Sequence, residues 1–205
     1  MGIINDQQAS FAGACFCNGG RDMTDTKIFQ ASPPDPSLAK RFVFRSILPE
    51  EAEQAVAIET ECFPPHEACK PEIMRARVAI APERFLVAVD RESGRIAGFI
   101  DGLATNDAHL RDAIYTDPSL HDPAGRNVMI LGVNVLPAYR RQGLAREMVA
   151  QFLCREQSRG TERVILTCLA HRVAMYEGFG FRTIGDSDST WGDEQWIEMD
   201  VRLNL

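Results

Sequence analysis

Hydrophobic residues fall in short runs along the chain, and these runs indicate where strands lie. Segments rich in Val, Ile and Phe, bounded by Gly, Pro or acidic residues, are typical of β-strands. The run from Val128 to Val135 is almost continuously apolar, which predicts a strand buried on both faces of a sheet. A turn at residues 91–94 predicts a hairpin. The predicted strands cover residues 42–48, 85–89, 96–100, 128–135, 164–169, 181–184 and 195–203.

A second pattern, with apolar residues three or four positions apart, predicts helices. Ala55, Ile58 and Cys62 follow this spacing, and Pro49 suits the first turn of their helix. Gly160 stands where a residue of left-handed conformation ends a later helix. The predicted helices cover residues 49–62, 71–80, 144–159 and 172–179.

The order of these segments predicts one α/β (α+β) domain, in which helices pack on a mixed sheet. A polar connection spans residues 103–127, and connections longer than about 12–15 residues are often functional. Residues 1–38 contain several glycines and a proline-rich cluster at 32–36, with no sustained period. We therefore expect a poorly ordered N-terminal extension over residues 1–38 and a folded domain over residues 39–205.

Composition and charge exclude several classes of protein. The 205 residues are 45% hydrophobic and 25% charged, which is ordinary for a soluble globular protein. The net charge of −7 disfavours nucleic acid and anionic membranes as partners. The first twenty residues lack the basic and apolar regions of a signal peptide, and the six cysteines form no Cys-x-x-Cys pair. We expect a cytoplasmic protein with no metal site, no nucleic-acid partner and no membrane partner.

The stretch at residues 133–145 combines the features of an anion-binding turn. An apolar strand ends near Val135, a basic turn with Arg140 and Arg141 follows, and an amphipathic helix begins after Gly143. Unpaired N–H groups and the helix dipole attract anions to such a helix start. Gly143 lets a phosphate approach the backbone, because no Cβ blocks it. No Gly-Lys-Ser/Thr sequence follows, so the turn differs from the nucleotide P-loop.

These residues resemble the cofactor motif of a known family. Arg140-x-x-Gly143-x-Ala145 resembles the Gln/Arg-x-x-Gly-x-Gly/Ala signature of the GNAT acetyltransferase superfamily, and Tyr176 followed by a Gly-Phe pair resembles its final motif. The resemblance covers roughly residues 41–203. It implies a GNAT fold, with a central mixed, mostly antiparallel seven-stranded sheet flanked by about four helices, and acetyl-CoA as the co-substrate.

Within that superfamily the chain is most similar to arylalkylamine N-acetyltransferases of fungal and bacterial type, through residues 62–68, 85–88 and 119–125. This likeness implies direct acetyl transfer, in a ternary complex, to a small primary amine of the serotonin, tryptamine or phenylethylamine type. Two alternatives stay open: a polyamine or peptide-amine N-acetyltransferase, and a non-catalytic acyl-CoA-binding module. A small-molecule amine is the expected partner, and a monomer or weak homodimer is the expected assembly.

The resemblance also implies roles for residues around the turn. The backbone of the cofactor strand would face the pantetheine arm, and the turn would wrap the pyrophosphate. A tyrosine with an ordinary pKa of about 10 is protonated at neutral pH, so Tyr176 would donate a proton to the departing CoA thiolate. The implied cofactor-binding residues are Val133, Asn134, Val135, Arg140, Arg141, Gln142, Gly143, Leu144, Ala145, Arg146 and Tyr176.

The base that deprotonates the amine departs from the family pattern. Animal arylalkylamine enzymes carry two histidines on the cofactor strand, whereas the matching positions here are Met129 and Leu131, which carry no proton. Glu67 lies where insect and fungal relatives place a carboxylate, and it is the expected base, acting through water. His121, on the long connection, is the second candidate for a catalytic role.

The expected acceptor pocket lies beside Glu67. Phe63 and Pro64 would form its apolar wall, with parts of the 103–127 connection. Aromatic walls suit an arylalkylamine and acidic walls suit a polyamine, and the sequence contains both. Several other acids are expected only to add negative potential that attracts a cation: Glu59, Glu61, Asp101 and Asp107.

Overall fold

The computed structural model describes residues 28–31 and 33–204, and its centre is a seven-stranded sheet. The strands are β1 (Phe42–Ser46), β2 (Phe85–Asp90), β3 (Ile96–Thr105), β4 (Asn127–Val135), β5 (Arg163–Leu169), β6 (Arg182–Asp186) and β7 (Trp196–Arg202). They lie in the order β1-β2-β3-β4-β5-β7-β6. Every neighbouring pair is antiparallel except β4 and β5, which are parallel.

Helices accompany this sheet along the described chain: α1 (Pro36–Arg41), α2 (Ala52–Cys62), α3 (Pro71–Ile80), α4 (Ala113–Thr116), α5 (Leu144–Ser158) and α6 (Val173–Glu177). Proline occupies the first turn of α1 and of α3, where its missing N–H costs no hydrogen bond. Gly160 follows α5 with a φ of 83°, as expected for a residue that ends a helix. Within the described ranges, every helix is too short or too polar to cross a membrane.

The alternating side chains of β2 show how the sheet separates two layers of helices. Leu86 and Ala88 pack into a core cluster that includes residues of α5. Phe85, Val87 and Val89 pack on the opposite side, in a cluster with residues of α2 and α3. All residues of β2 are buried, because both faces of the sheet are covered at this strand.

The parallel pairing of β4 with β5 determines where a ligand can enter the sheet. It extends only from Asn127 opposite Arg163 to Met129 opposite Ile165. Past these residues β4 and β5 separate, and the edge of β4 that faces β5 has no strand partner among the described residues. The two strands therefore form the sides of a wedge that opens toward the start of α5.

The predicted fold class and the mixed, mostly antiparallel seven-stranded sheet are confirmed, and the largest difference in a strand boundary is at the end of β3. The third strand continues through Leu103 and Ala104 to Thr105, because both apolar side chains are fully buried and Leu103 pairs with Met129 of β4. The polar connection is correspondingly shorter, and it contains α4. The short helices α1 and α4 were not predicted, because six and four residues are too few to reveal a helical period.

The helix α1 crosses the predicted domain boundary at residue 39. Asp35 caps it by accepting a hydrogen bond from the Ser37 N–H, and Leu38 is buried in the core. Ile28 forms an isolated bridge with Arg202 of β7. Residues 1–27 of the predicted extension lie outside the described residues, so their lack of order stays a prediction.

Candidate active site

A cleft of about 790 Å³ opens where β4 and β5 separate. The separated halves of the two strands, the start of α5, the end of α2 and the helix α6 form its walls. This volume lies within the usual range for small-molecule sites, about 300–1,000 Å³. The two ends of the cleft differ in chemistry: the end at α5 is basic, and the end at α2 is acidic and aromatic.

The turn between β4 and α5 forms the basic end. Its backbone is unusual, because Arg141 has a φ of 59° and Gly143, the residue before α5, has a φ of 83°. A left-handed conformation costs a residue other than glycine about 1–2 kcal/mol, and such strain is concentrated at ligand sites. Gly143, Leu144 and Ala145 line the cleft, and the first N–H groups of a helix lack intrahelical acceptors.

Arginine side chains add full positive charges to this end. One is fixed by a hydrogen bond from Arg140 Nε to the Val135 carbonyl oxygen, at 2.8 Å. Another is fixed by a hydrogen bond from Arg146 Nη1 to the Gly178 carbonyl oxygen, at 2.7 Å. The arginines that line the basic end of the cleft are Arg140, Arg141, Arg146 and Arg172. The predicted anion site is therefore basic and partly preformed.

The open half of β4 forms one long wall. Leu131, Val133 and Val135 are partly exposed and line the cleft, so the prediction that this strand is buried on both faces is wrong for its second half. The side chain of Asn134 lies outside the cleft lining and is buried. Gln142 also lies outside the lining, because its amide accepts a hydrogen bond from Arg41 and donates one to Ala138.

Tyr176 of α6 lines the cleft on the wall opposite β4. Its ring makes edge contacts with Phe179 and Phe181, with both centroid distances at 5.9 Å. Burial raises the pKa of the Tyr176 hydroxyl above its ordinary value. The hydroxyl is therefore fully protonated at neutral pH and is able to donate a proton or a hydrogen bond into the cleft.

Glu59, in the last turns of α2, forms the acidic end, although only 4% of this residue is exposed. Its Oε1 accepts a hydrogen bond from the Cys69 N–H, and its Oε2 accepts one from Asn134 Nδ2, both at 3.0 Å. Burial, followed by the charge of Asp101, raises the pKa of Glu59 from 4.5 to about 7. A carboxyl group with this pKa exchanges a proton near neutral pH, which suits a general base.

Aromatic rings surround this acidic end. Tyr115 and Trp191 stack with centroids 5.1 Å apart. The Trp191 indole N–H donates to the Glu67 carbonyl oxygen at 2.9 Å, and the Trp196 indole N–H donates to the Trp191 carbonyl oxygen at 2.7 Å. The predicted residues Phe63, Pro64 and Glu67 also line the cleft here, so the structure brings the expected acceptor-binding residues together with the rings.

His121 lies elsewhere, and the structure does not bring it to the cleft. Its Nδ1 accepts a hydrogen bond from the Ala104 N–H at 3.1 Å, and its Nε2 lies 3.5 Å from the Glu83 carboxylate. The side chain is only 3% exposed, and its burial lowers the imidazole pKa. The predicted catalytic role of His121 is therefore not supported, because the connection that carries it folds back onto β3.

A family comparison agrees with this geometry. The family model described as acetyltransferase (GNAT) family matches residues 52–181, from the start of α2 through the basic turn and Tyr176 to Phe181. The chain belongs to the GNAT acetyltransferase family. This GNAT protein is therefore an acyl-CoA-dependent acyltransferase. No curated protein sequence matches this chain significantly.

Solved structures share the fold of this GNAT protein at low sequence identity. The GNAT-like decarboxylase GphF in complex with isobutyryl-CoA has a TM-score of 0.66 and 19% identity, over 79% of this chain and 100% of that chain. The ribosomal-protein-S18-alanine N-acetyltransferase from Escherichia coli has a TM-score of 0.58 and 18% identity, over 80% and 95% of the two chains. A phosphinothricin acetyltransferase from Sinorhizobium meliloti, in complex with acetyl-CoA, has a TM-score of 0.59 and 15% identity, over 80% of this chain and 89% of that chain.

Sequence reasoning about this GNAT protein missed the residues that depend on tertiary packing. Glu59 was expected only to add negative potential, although it sits three residues before Cys62 on the predicted buried face of α2. An acid at the spacing of an apolar face was the signal that could have found it. Tyr115 comes from the short helix α4, Trp191 from the segment before β7 and Trp196 from the first position of β7, and no motif marks them.

Proposed function

We propose that this GNAT protein transfers the acetyl group of acetyl-CoA directly to the primary amine of a small arylalkylamine. The observation that carries the proposal is the buried carboxyl group of Glu59, at the acidic and aromatic end of a cleft whose other end is basic. A cofactor with phosphates and an amine acceptor need opposite electrostatic environments, and the cleft offers one at each end.

The basic end fits the pyrophosphate of acetyl-CoA. Arg141 and Arg146 bring full charges to a helix start whose N–H groups are free to bind phosphate oxygens. The unpaired edge of β4, around Val133 and Val135, offers backbone groups to the amides of the pantetheine arm. When bound, acetyl-CoA supplies the thioester carbonyl that the acceptor attacks.

The acidic end fits an amine that must lose a proton. A primary alkylamine with a pKa of about 10.4 arrives as an ammonium ion at neutral pH. Glu59 accepts a proton from it, directly or through water, and the freed lone pair forms the new C–N bond as the C–S bond breaks. The nitrogen loses a second proton as the amide forms, and this proton replaces the one that Tyr176 gives to the departing thiolate. We therefore assign the role of base to Glu59, and keep Glu67 as an acceptor-binding residue because it lines the same pocket.

Tyr176 donates a proton to the leaving group. The thiolate of CoA takes a proton as it departs, and Tyr176 is a protonated hydroxyl on the wall of the cleft. Positioning both reactants between Glu59 and Tyr176 is the larger part of the catalytic effect, since it converts a bimolecular step into an effectively unimolecular one.

The aromatic rings favour an arylalkylamine as the acceptor. Tyr115, Trp191 and Trp196 bring apolar area and ring faces to the same pocket as Glu59. Ring faces also attract an ammonium ion through cation–π interactions, worth about 0.5–2 kcal/mol. An acceptor with an aromatic ring and a short amine chain uses both features.

A polyamine is the second candidate, and a specific cluster favours it. The nitrogen or carboxylate atoms of His66, Glu67 and Glu194 all lie within 4.8 Å of one another. Glu67 lines the cleft, so a second ammonium group beside these carboxylates would be attracted while the first one reached Glu59.

The test is release of free CoA from acetyl-CoA against tryptamine, serotonin, phenylethylamine, spermidine, spermine and a lysine peptide. We expect turnover with the aromatic amines. Glu59→Gln should lower kcat/KM at pH 7 by about 10²–10⁴-fold, and Tyr176→Phe should lower kcat. Glu53→Gln, an exposed change on the same helix, is the matched control and should leave turnover unchanged.

The alternative outcomes separate the candidates. Turnover confined to spermidine and spermine would replace the arylalkylamine with the polyamine. Saturable binding of acetyl-CoA without turnover of any amine would overturn the proposal for these acceptors and favour a non-catalytic acyl-CoA-binding module.

A further inference from the structure

Four buried polar side chains meet behind the acidic end of the cleft, each from a different element. Arg77 of α3 donates from Nη1 to Asp101 Oδ2 of β3 at 2.8 Å, and from Nη2 to the Tyr115 carbonyl oxygen at 2.8 Å. Glu59 of α2 accepts from Asn134 of β4 at 3.0 Å. Each of the four side chains belongs to a residue no more than 4% exposed, so water does not screen their charges.

Gly132 of β4 lets the two carboxylates approach each other. A Cβ at this position would lie 2.7 Å from Asp101 Oδ1, 3.0 Å from Asn134 Nδ2 and 3.8 Å from Glu59 Oε2. All three polar groups therefore border the same small space above the strand. Asp101 and Gly132 are also direct partners in the sheet, next to a β-bulge.

The charges in this cluster do not balance unless one carboxyl group holds a proton. Two carboxyl groups face a single guanidinium group, and the guanidinium is committed to Asp101 by a hydrogen bond and an ion pair. In the described part of the chain, the hydrogen-bond donors to Glu59 are both neutral, namely the Cys69 N–H and the Asn134 amide. Burial raises the pKa of Asp101, but the Arg77 ion pair opposes this rise, so the shared proton is assigned to Glu59 and the charge to Asp101.

The hydrogen bonds of Asn134 allow both protonation states of Glu59. Asn134 Oδ1 is buried and has no hydrogen-bond partner among the described residues, and the same is true of Asp101 Oδ1. When Glu59 is ionised, Asn134 Nδ2 donates to it. When Glu59 is protonated, rotation of the Asn134 amide by half a turn brings Oδ1 to accept the carboxyl O–H.

We propose that Asp101 and Asn134 are positioning residues that set, in opposite directions, the pH at which Glu59 becomes able to accept a proton. Asp101 favours protonated Glu59 through like-charge repulsion, and Asn134 favours the carboxylate by donating a hydrogen bond to it. The inference deepens the proposed function and rests on it, because it concerns the group to which that function assigns deprotonation of the amine.

Over residues 28–31 and 33–204, three other titratable groups lie near Glu59. Cys62 lies on α2 itself, Cys69 follows α2, and Tyr115 adjoins the Arg77 side of the cluster. Burial raises the pKa of both thiols, to about 12 for Cys69, and that of Tyr115 to about 12. All three are neutral where Glu59 titrates, so Asp101 and Arg77 are the charges that matter.

The test is the pH profile of kcat/KM with the best amine, from wild type, Asp101→Asn and Asn134→Leu. We expect the acid limb to move to lower pH by about 1 pH unit in Asp101→Asn, and to higher pH in Asn134→Leu. Asp186→Asn, the same chemical change on the exposed edge strand β6, should leave the limb in place. If the acid limb moves in the same direction in both variants, or in neither, and the carboxyl titration described below is also unshifted, the proposal is overturned.

Asp101→Asn leaves Arg77 buried without its ion pair, so a double variant guards against loss of the fold. With Arg77→Met added, both charges disappear, and we expect the acid limb to lie between those of Asp101→Asn and wild type. Thermal unfolding and acetyl-CoA affinity of each variant verify that the fold is intact. If the acid limb of the double variant lies at the same pH as that of Asp101→Asn, the charge argument is overturned.

Infrared titration of the Glu59 carboxyl band gives a readout that does not need activity. The Glu59 band is identified as the carboxyl band that is absent from Glu59→Gln. The pH at the midpoint of its titration is then compared between wild type, Asp101→Asn and Asn134→Leu. Opposite shifts of the midpoint support the inference, even if the activity profiles do not follow them. In that case the role of Glu59 as base fails, while its tuning by Asp101 and Asn134 stands. Unshifted midpoints overturn the inference itself.

Discussion

Glu59 imposes a cost on stability that depends on pH. Its pKa is raised in the folded protein, from 4.5 to about 7, so the folded state binds more protons than the unfolded state between these values. Stability therefore falls as pH rises through that window, by up to about 3 kcal/mol. This sign is opposite to that of a carboxylate in a favourable ion pair, whose stabilising effect is lost as pH falls.

Glu59→Gln should remove this pH dependence, because a buried amide does not ionise. We expect the free energy of unfolding of the variant to exceed that of wild type at pH 8, and to differ little from it at pH 5. Urea denaturation at the two pH values measures both quantities, with Glu53→Gln as the exposed control. A difference between variant and wild type that is equal at both pH values would contradict the buried ionisation.

Among single residues, the sequence predicted those site residues that belong to a local motif. Arg140, Gly143 and Tyr176 were predicted, because each belongs to a short segment in which strand, turn and helix follow in order. Glu59 was not recognised as a base, because its pKa depends on burial and on Asp101, which is 42 positions away in the sequence and joins it through the sheet. His121 was misassigned, because its partners Glu83 and Ala104 are also distant along the chain.

The turn before α5 combines backbone strain with positive charge. Arg141→Gly removes both, but the strain affects stability without ligand, whereas the charge affects the binding of acetyl-CoA. Glycine accepts a φ of 59° without a steric cost, so we expect stability without ligand to stay equal or rise by up to about 1 kcal/mol. The lost guanidinium should weaken acetyl-CoA binding by roughly tenfold, about 1.4 kcal/mol. Calorimetric titration measures the affinity, with exposed Arg126→Ala as the control. Unchanged affinity would show that Arg141 does not bind the cofactor.

The strand β4 tolerates the buried carboxylates only because Gly132 has no side chain. In Gly132→Ala the new Cβ would meet Asp101 Oδ1 at 2.7 Å, so the strand or the carboxylate has to move. We expect a loss of about 1–3 kcal/mol in stability and a lower acetyl-transfer rate. Gly94→Asn, in the hairpin turn, is the control, since asparagine tolerates a positive φ and the position is open. Full stability of Gly132→Ala would contradict the tight approach.

The elements themselves were predicted with fair accuracy, for reasons that are visible in their composition. The strands of the buried sheet are apolar runs, and α5 has both a clear period and a glycine at each end. The separation of β4 from β5 could not be predicted from the strands themselves, because no pattern within either strand encodes where its pairing stops. The rings of Trp191 and Tyr115 meet across elements whose order along the chain does not predict their contact.

At the scale of the whole molecule, the cleft divides the sheet into two parts. Strands β1 to β4 lie on one side and β5 to β7 lie on the other. Among the described strands, only the short parallel pairing of β4 with β5 joins the two parts of the sheet directly. A ligand that contacts both β4 and α6 therefore connects the two parts in a way that the sheet does not. Acetyl-CoA should stabilise the folded protein as a single unit.

Thermal unfolding should show this effect. At an acetyl-CoA concentration of 100 times Kd, binding to the folded state alone adds about 2.7 kcal/mol. For a chain of this size that corresponds to a rise in Tm of roughly 5–10 °C. Differential scanning calorimetry over a series of acetyl-CoA concentrations measures the rise, and Arg141→Gly should show a smaller one. A Tm independent of acetyl-CoA would contradict binding at the cleft.

The chain has two tryptophans, Trp191 and Trp196, and both lie in the wall of the acceptor pocket. The intrinsic fluorescence of the protein consequently originates almost entirely from the place where the amine is expected to bind. Acceptors that lack an indole can be followed by the quenching or shift of this emission, without a label and before any acetyl group moves. Rapid mixing with acetyl-CoA or with the amine alone would then reveal the order in which the two substrates enter.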